Sequence, residues 1–381
     1  MGPLAGIRII EIAALGPSPF CGMMLADNGA EVIRIARPND VQPMINEPSR
    51  DVLNRSRTTL AVDLKSAGGG AIVKALCRSA DGFIEGFRPG VMERLGLGPD
   101  VLLGENKALV YGRMTGWGQN GPYSAMAGHD INCIAISGAL GAIGRAGQAP
   151  VPPLNLVGEY GGGAMVLAFG MVAALLHAQR TGIGQVIDCA MSDASAALLA
   201  SPLSLRAQGM WNDHRGTNLL DGGAPFYDSY ATKDGKYIAL GAVEPQFYTR
   251  MMQRLGLEEL VVSTDQNDRD KWPRVRQAIQ AVVQTKTRDQ WCTVFEGTDA
   301  CFAPVMSFDE APDHAHNKAR GAFVTMDGVV QPAPVPRYSS TINDGPRPMV
   351  KDQATSIGLL REAGFSESDI EQLRMDQAII V

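Results

Sequence analysis

Residues 7–12 read Ile-Arg-Ile-Ile-Glu-Ile, a short β-branched run that predicts a strand. Residues 19–28 follow with helical character and stop at Gly29, and 31–35, Glu-Val-Ile-Arg-Ile, predict a second strand. Further along, 71–77 predict a helix and 82–84 and 108–111 two more extended pieces. Strands that alternate with helices imply βαβ units and a mostly parallel sheet covered on both faces. No Gly-x-Gly-x-x-Gly follows the first strand, so a doubly wound α/β fold is expected without the dinucleotide fingerprint.

The pattern changes twice downstream. From Gly158 the run GEYGGGAMVLAFGMVAALLHAQRTG is a glycine-rich start to an almost uniformly apolar helix, which predicts burial on all sides. A strand at 185–188 and another apolar helix follow. Beyond residue 221 hairpin signals take over, with extended runs at 226–231 and 236–240 around Lys233-Asp234-Gly235. Capping boxes are expected at Thr287-Arg-Asp-Gln290 and Ser307-Phe-Asp-Glu310. Residues 331–336, QPAPVP, predict a stiff linker, and a last helix runs from 356 to Gly364.

Composition narrows the function classes. The 381 residues carry 34 Lys and Arg against 40 Asp and Glu, a formal net charge of −6. An extended nucleic-acid footprint would need a basic face, so no nucleic-acid partner is expected, although a few arginines suffice for a small anion. The chain is 45% hydrophobic and 19% charged, which supplies a core and excludes disorder; its length exceeds what one core usually serves. Six scattered cysteines without a Cys-x-x-Cys pair fit reduced thiols acting as small hydrophobes. The first residues lack a signal peptide's basic start and long apolar stretch, and the longest uncharged apolar run, 164–176, is shorter than a bilayer span. A cytoplasmic protein with no membrane partner is expected, or one from an organelle matrix if the source is eukaryotic.

Most simple catalytic signatures are missing. The chain has no Gly-x-Ser-x-Gly, His-Glu-x-x-His or P-loop, and His314 and His316 read as loop residues, so no metal site is expected. His129 stands out. In Gly128-His-Asp-Ile-Asn-Cys133 it precedes a small-residue helix, where an imidazole and helix N–H groups would meet. The same pattern fits a plain helix start capped by Asp130 or Asn132. Glu159, just ahead of Gly161–Gly163, is either a helix-start charge or a functional carboxylate, since consecutive glycines mark close backbone approach. Glu244, before Pro245, carries the same two readings. Met210, Met251 and Met252 offer either an adaptable apolar surface or core filling.

At these residues the sequence resembles the family III CoA-transferases, and within them the racemase branch. The matching segments are GPSPFCGMMLADNGAEVIRIARP, TLAVDLKS, EGFRPGVMERLGLGP, YGRMTGWGQNGP, GHDIN, PPLNLVGEYGGG, LLDGGAPFYDSY, GAVEPQFY and GTDACFAPV, in family order over nearly the whole chain. The resemblance implies racemisation at the α-carbon of 2-methylacyl-CoA thioesters through an enolate. His129 and Glu159 take the places of the two bases, and Glu244 that of a group orienting His129 from the other domain or subunit. One base removes the α-proton from one face and the other returns a proton to the opposite face, while N–H groups near Asp130 stabilise the charge on the thioester oxygen. CoA transfer through a glutamyl anhydride is the alternative within the family; a silent CoA-binding dimer is another.

The resemblance further implies CoA contacts from Arg37, from Val62, Asp63, Leu64 and Lys65, and from Arg88 and Arg94, together with Gly128, Asp130, Ile131, Asn132 and Cys133. No separate cofactor is implied, because CoA is part of the substrate. Two positions depart from the pattern: Glu159 stands where the family usually has Asp, and Cys133 where it has Tyr. The family fold predicts a Rossmann-like large domain from residues 1–190 and 330–381, linking segments 191–221 and 316–329, and a smaller α+β domain at 222–315, in an interlocked homodimer.

Overall fold

The computed structural model describes residues 2–38, 47, 50–261 and 266–380. Six parallel strands form the main sheet: β1 (Arg8–Ile12), β2 (Glu31–Ala36), β3 (Thr58–Val62), β4 (Gly82–Glu85), β5 (Val110–Thr115) and β6 (Val186–Ala190). Their order is 3-2-1-4-5-6, and a C-terminal strand described below joins the edge beside β3. This is the doubly wound order. The chain winds outward one way through β2 and β3 and the other way through β4 to β6, so the crossovers diverge between β1 and β4.

Period-two alternation explains why the strands are apolar throughout. Ile10, Ile12, Ile33, Ile35, Leu60 and Val62 face one layer, built on helices Ala67–Cys77, Pro99–Glu105, Gln353–Glu362 and Glu367–Met375. Ile9, Val32, Ile84, Val110 and Met114 face the other, with helices Pro17–Asp27 and Met165–Thr181. Charged groups also lie in this sheet. Glu11 of β1 is in register with Arg34 of β2, and Glu85 of β4 with Arg113 of β5. Arg57 donates to both oxygens of Glu11, at 2.7 and 2.5 Å, and to the carbonyl of Pro19 at 3.0 Å. A fully buried ion pair therefore fixes the first turn of helix Pro17–Asp27 to the sheet.

Two compact units divide the chain. The first takes residues 1–137, 154–198 and 315–381; the second takes 138–153 and 199–314. Residues 138–153, placed with the large domain on sequence, group with the second unit because arginines tie them there. Arg145 pairs with Asp228 at 2.6 Å, and Arg215 donates to the carbonyl of Gln148 at 3.1 Å. The second unit holds the antiparallel strands β7 (Tyr227–Ala231), β8 (Tyr237–Gly241) and β9 (Phe302–Pro304), packed with helices Pro245–Leu255, Trp272–Val283 and Arg288–Phe295 around Phe226, Trp272 and Trp291. Met251 and Met252 are fully buried in that core, whereas Met210 is half exposed.

Several local expectations need correction. The Ser307–Glu310 box forms both of its hydrogen bonds, yet only the short turn Ala311–Asp313 follows it. The first two residues of the expected proline linker are strand: β11 (Val329–Pro332) pairs with β10 (Phe323–Met326), and buried Gln331 accepts from Arg55 at 2.9 Å. A helix ends near Gly364 as expected, but Glu367–Met375 and then β12 (Ile379–Ile380) follow, the latter antiparallel to β3. The apolar helix is neither short nor buried all round. Leu156–Thr181 is one continuous helical stretch of 26 residues, and an 18-residue window within it has mean hydropathy 1.7, so it is long and apolar enough to cross a membrane by those measures. Leu167, Met171, Ala174, Leu175 and Ala178 pack on the sheet, while Met165, Val166, Phe169, Val172 and Leu176 are exposed.

Candidate functional site

The site is built on the carboxyl edge of the parallel strands, where α/β folds bind ligands. A loop leaves β5 and ends at His129, immediately before helix Asp130–Ser137. The His129 carbonyl accepts from Asn132 N and Cys133 N, so His129 is the residue that opens the helix. Asn132 Oδ1 accepts from His129 N at 3.1 Å, which closes that turn; Asp130 does not cap it. The imidazole is exposed. Of the first-turn N–H groups behind it, those of Asp130 and Ile131 come before the first rung of the helix ladder and point toward the same end.

Glu159 approaches from the other side of the same unit. Residues Leu156–Ala164 form a π-helix, a rare wide-turned geometry that is frequent at functional sites. A side chain at Gly162 would place Cβ 2.9 Å from the carbonyl of Val157 and 3.2 Å from Ser195, so the glycine run lets this wide turn pack on helix Met191–Ala197. The Glu159 carboxylate accepts from Asn155 Nδ2 at 2.8 Å. It also rests against Gly16, where φ is +73° and a Cβ would stand 3.0–3.2 Å from the carboxyl atoms. Tyr160 stacks on Phe20 with centroids 4.5 Å apart, which locks the turn to helix Pro17–Asp27.

One side chain joins the two segments: Asp130 Oδ2 accepts from Glu159 N at 2.6 Å. Cys133, one turn on, donates Sγ–H to the carbonyl of Gly116, and burial, with Asp130 and Glu159 nearby, pushes its thiol up to about 12. It is therefore a packed, neutral thiol at pH 7 rather than a reactive one.

The proposed CoA-contacting candidates ahead of β5 lie at or after the ends of strands β2, β3 and β4. Arg37 follows β2 and is exposed; Arg88 follows β4, and Arg94 closes helix Val91–Arg94, both exposed. Val62 ends β3 with its side chain fully buried, so only its backbone is available to a ligand. Asp63 Oδ1 accepts from Lys65 N at 3.0 Å and shapes the turn that presents Leu64 and Lys65. Gly128 and Ile131 flank the His129 turn, Ile131 exposed. Glu244 lies in the second unit, at the start of helix Pro245–Leu255, exposed and making no capping hydrogen bond with its side chain. The structure thus gathers His129, Asp130 and Glu159 in one unit and leaves Glu244 in the other. Asn155 and Gly16 were missed on sequence; the four-residue spacing of Asn155 and Glu159 was the available signal.

Comparison with known proteins adds the chemistry. Over 381 residues the chain is 43% identical to the alpha-methylacyl-CoA racemase of Mus musculus, covering 99% of this chain and 97% of that protein. It is 42% identical over 380 residues to the enzyme of that name from Homo sapiens, with the same coverage. A CAIB/BAIF family protein from Brucella suis shares the fold with a TM-score of 0.79 at 22% identity, over 95% of this chain and 99% of that one. The family described as CoA-transferase family III matches residues 4–354. A doubly wound sheet, near-full-length likeness to these relatives and a family match over nearly the whole length lead to one assignment: the chain belongs to CoA-transferase family III.

Proposed function

We propose that the protein racemises the α-carbon of 2-methylacyl-CoA thioesters by transferring a proton out on one face and in on the other. The α-proton of a thioester is only weakly acidic, so its removal needs a placed base and a stabilised enolate oxygen. His129 and Glu159 serve as the two bases, and the N–H groups of Asp130 and Ile131 receive the oxygen. The observation that carries the reading is the 2.6 Å bond from Glu159 N to Asp130, which sets the two base-bearing segments against each other. Full-length likeness to named racemases supports the same chemistry.

Arg37, Arg88, Arg94 and the 62–65 turn are proposed to bind the CoA moiety, which is part of the substrate; the reaction calls for no further cofactor. A homodimer is proposed because Met165, Val166, Phe169, Val172 and Leu176 form an exposed apolar helix face, with Phe169 76% accessible. In such a dimer Glu244 orients the partner's imidazole.

The test is α-hydrogen exchange in deuterium oxide, started separately from each epimer. Label uptake with appearance of the opposite epimer is expected from both. Absence of exchange across straight-chain, branched and aryl 2-methyl thioesters would refute the reading. The family name itself favours a second one, CoA transfer, in which Glu159 attacks the thioester carbonyl and expels the CoA thiolate. Borohydride or hydroxylamine trapping at Glu159 during turnover separates the two.

A further inference from the structure

His129 and Glu159 are 30 positions apart, and the chain between them passes through residues 138–153 of the second unit. Their covalent connection therefore does not set their spacing. Two-base inversion requires that it be set, since the α-carbon must lie within reach of both groups at once.

Asp130 is built for that task. An aspartate in a helix's first turn ordinarily serves its own helix. Here Asn132 closes the turn, and Asp130, only 6% exposed, reaches across to the backbone of Glu159. The approach is close enough to dictate the preceding residue. A Cβ at Gly158 would stand 2.7 Å from Oδ2 and 2.8 Å from Cγ, so a side chain there would push the segments apart. A carboxylate acceptor gives a shorter and stronger bond than a neutral one, as the 2.6 Å distance reflects.

We infer that the Asp130 side chain is a positioning residue, a latch that fixes the separation of His129 and Glu159 by being adjacent to one in sequence and hydrogen-bonded to the backbone of the other. This rests on the racemase reading for its kinetic consequence, though not for the latch itself. The role differs from that proposed for the Asp130 N–H, which is to receive the thioester oxygen.

The experiment compares wild type with Asp130→Ala and Asp130→Asn. The Asn variant preserves an acceptor and the volume if the Ala variant fails to fold. In Asp130→Ala, kcat should fall about a hundredfold from either epimer, with KM changed by less than about twofold. Asp130→Asn should recover about tenfold of that loss. A substrate-contacting role would instead raise KM, and a merely structural role would lower the melting temperature while leaving kcat per folded molecule unchanged; either result overturns the inference. Hydrogen exchange supplies an independent reading. The amide of Glu159 should lose protection in Asp130→Ala while the central strands keep theirs, and unchanged protection in that variant overturns the latch. If the wild type exchanges no substrate proton, the racemase reading fails, and amide protection alone decides for or against the latch.

Discussion

Gly22 lies within helix Pro17–Asp27 with ordinary helical backbone, so propensity alone predicts that Gly22→Ala stabilises by about 1 kcal/mol. Packing predicts the opposite. The new Cβ would stand 2.2 Å from Glu11 Oε2 and 2.9 Å from Arg57 Nη1, both fully buried. Neither group is the loose end of a surface side chain: Arg57 is held by Glu11 and the Pro19 carbonyl, and burial already disfavours the Glu11 charge. The pair must separate or the helix must lift from the sheet. Breaking a buried pair costs about 3–5 kcal/mol, so after the propensity gain the net loss should be about 2–4 kcal/mol. Urea unfolding at fixed protein concentration, followed by far-ultraviolet circular dichroism, measures it. The control is Gly104→Ala, an exposed position of helix Pro99–Glu105 with no atom within 4 Å of the new Cβ, which should gain about 0.5–1 kcal/mol. A Gly22→Ala protein as stable as wild type would refute the reasoning.

Two further outcomes are expected. Burial raises Glu85 to about 7, against the pull of Phe87 N and Arg113; the folded state then holds this proton more tightly than the unfolded one, so stability falls as pH rises from about 4.5 through 7, by on the order of 3 kcal/mol. Urea titrations at both ends of that window should show the decline in wild type and its absence in Glu85→Gln. Phe169→Glu places a charge on the exposed apolar helix face, and sedimentation should show a dimer converted to monomer; an unchanged dimer would place the interface elsewhere.

The sheet was legible because its strands obey short-range rules. The β-branched runs at 7–12 and 31–35 emerge as β1 and β2 within a residue or so of their expected ends, and Asp234-Gly235 turns the β7–β8 hairpin. Failures came where tertiary context decides. QPAPVP carries prolines that suggest a linker, but Gln331 is recruited into β11 by a buried Arg55 that is 276 positions away in sequence. Ser307 and Glu310 complete a capping box without a helix, since capping satisfies the first turn and cannot supply the later ones. Helix Leu156–Thr181 looked buried because composition reports apolarity and not which neighbours are present.

The site shows the same division. Residue types around His129 and Glu159 marked them as candidates, whereas what accommodates a glutamate at position 159 lies in residues remote in sequence. Its carboxylate extends to the N-terminal end of helix Pro17–Asp27, where the helix dipole favours negative charge. That space exists because Gly16 has no side chain and holds a left-handed φ of +73° that other residues rarely adopt. Asn155 then fixes one oxygen from the preceding turn, and Asp130 fixes the backbone. The additional methylene relative to aspartate is thus met by a cleared backbone position at one end and two hydrogen bonds at the other. On the proposed racemase reading, a carboxylate so confined would act as a base with a defined reach, a longer arm held in a matched socket.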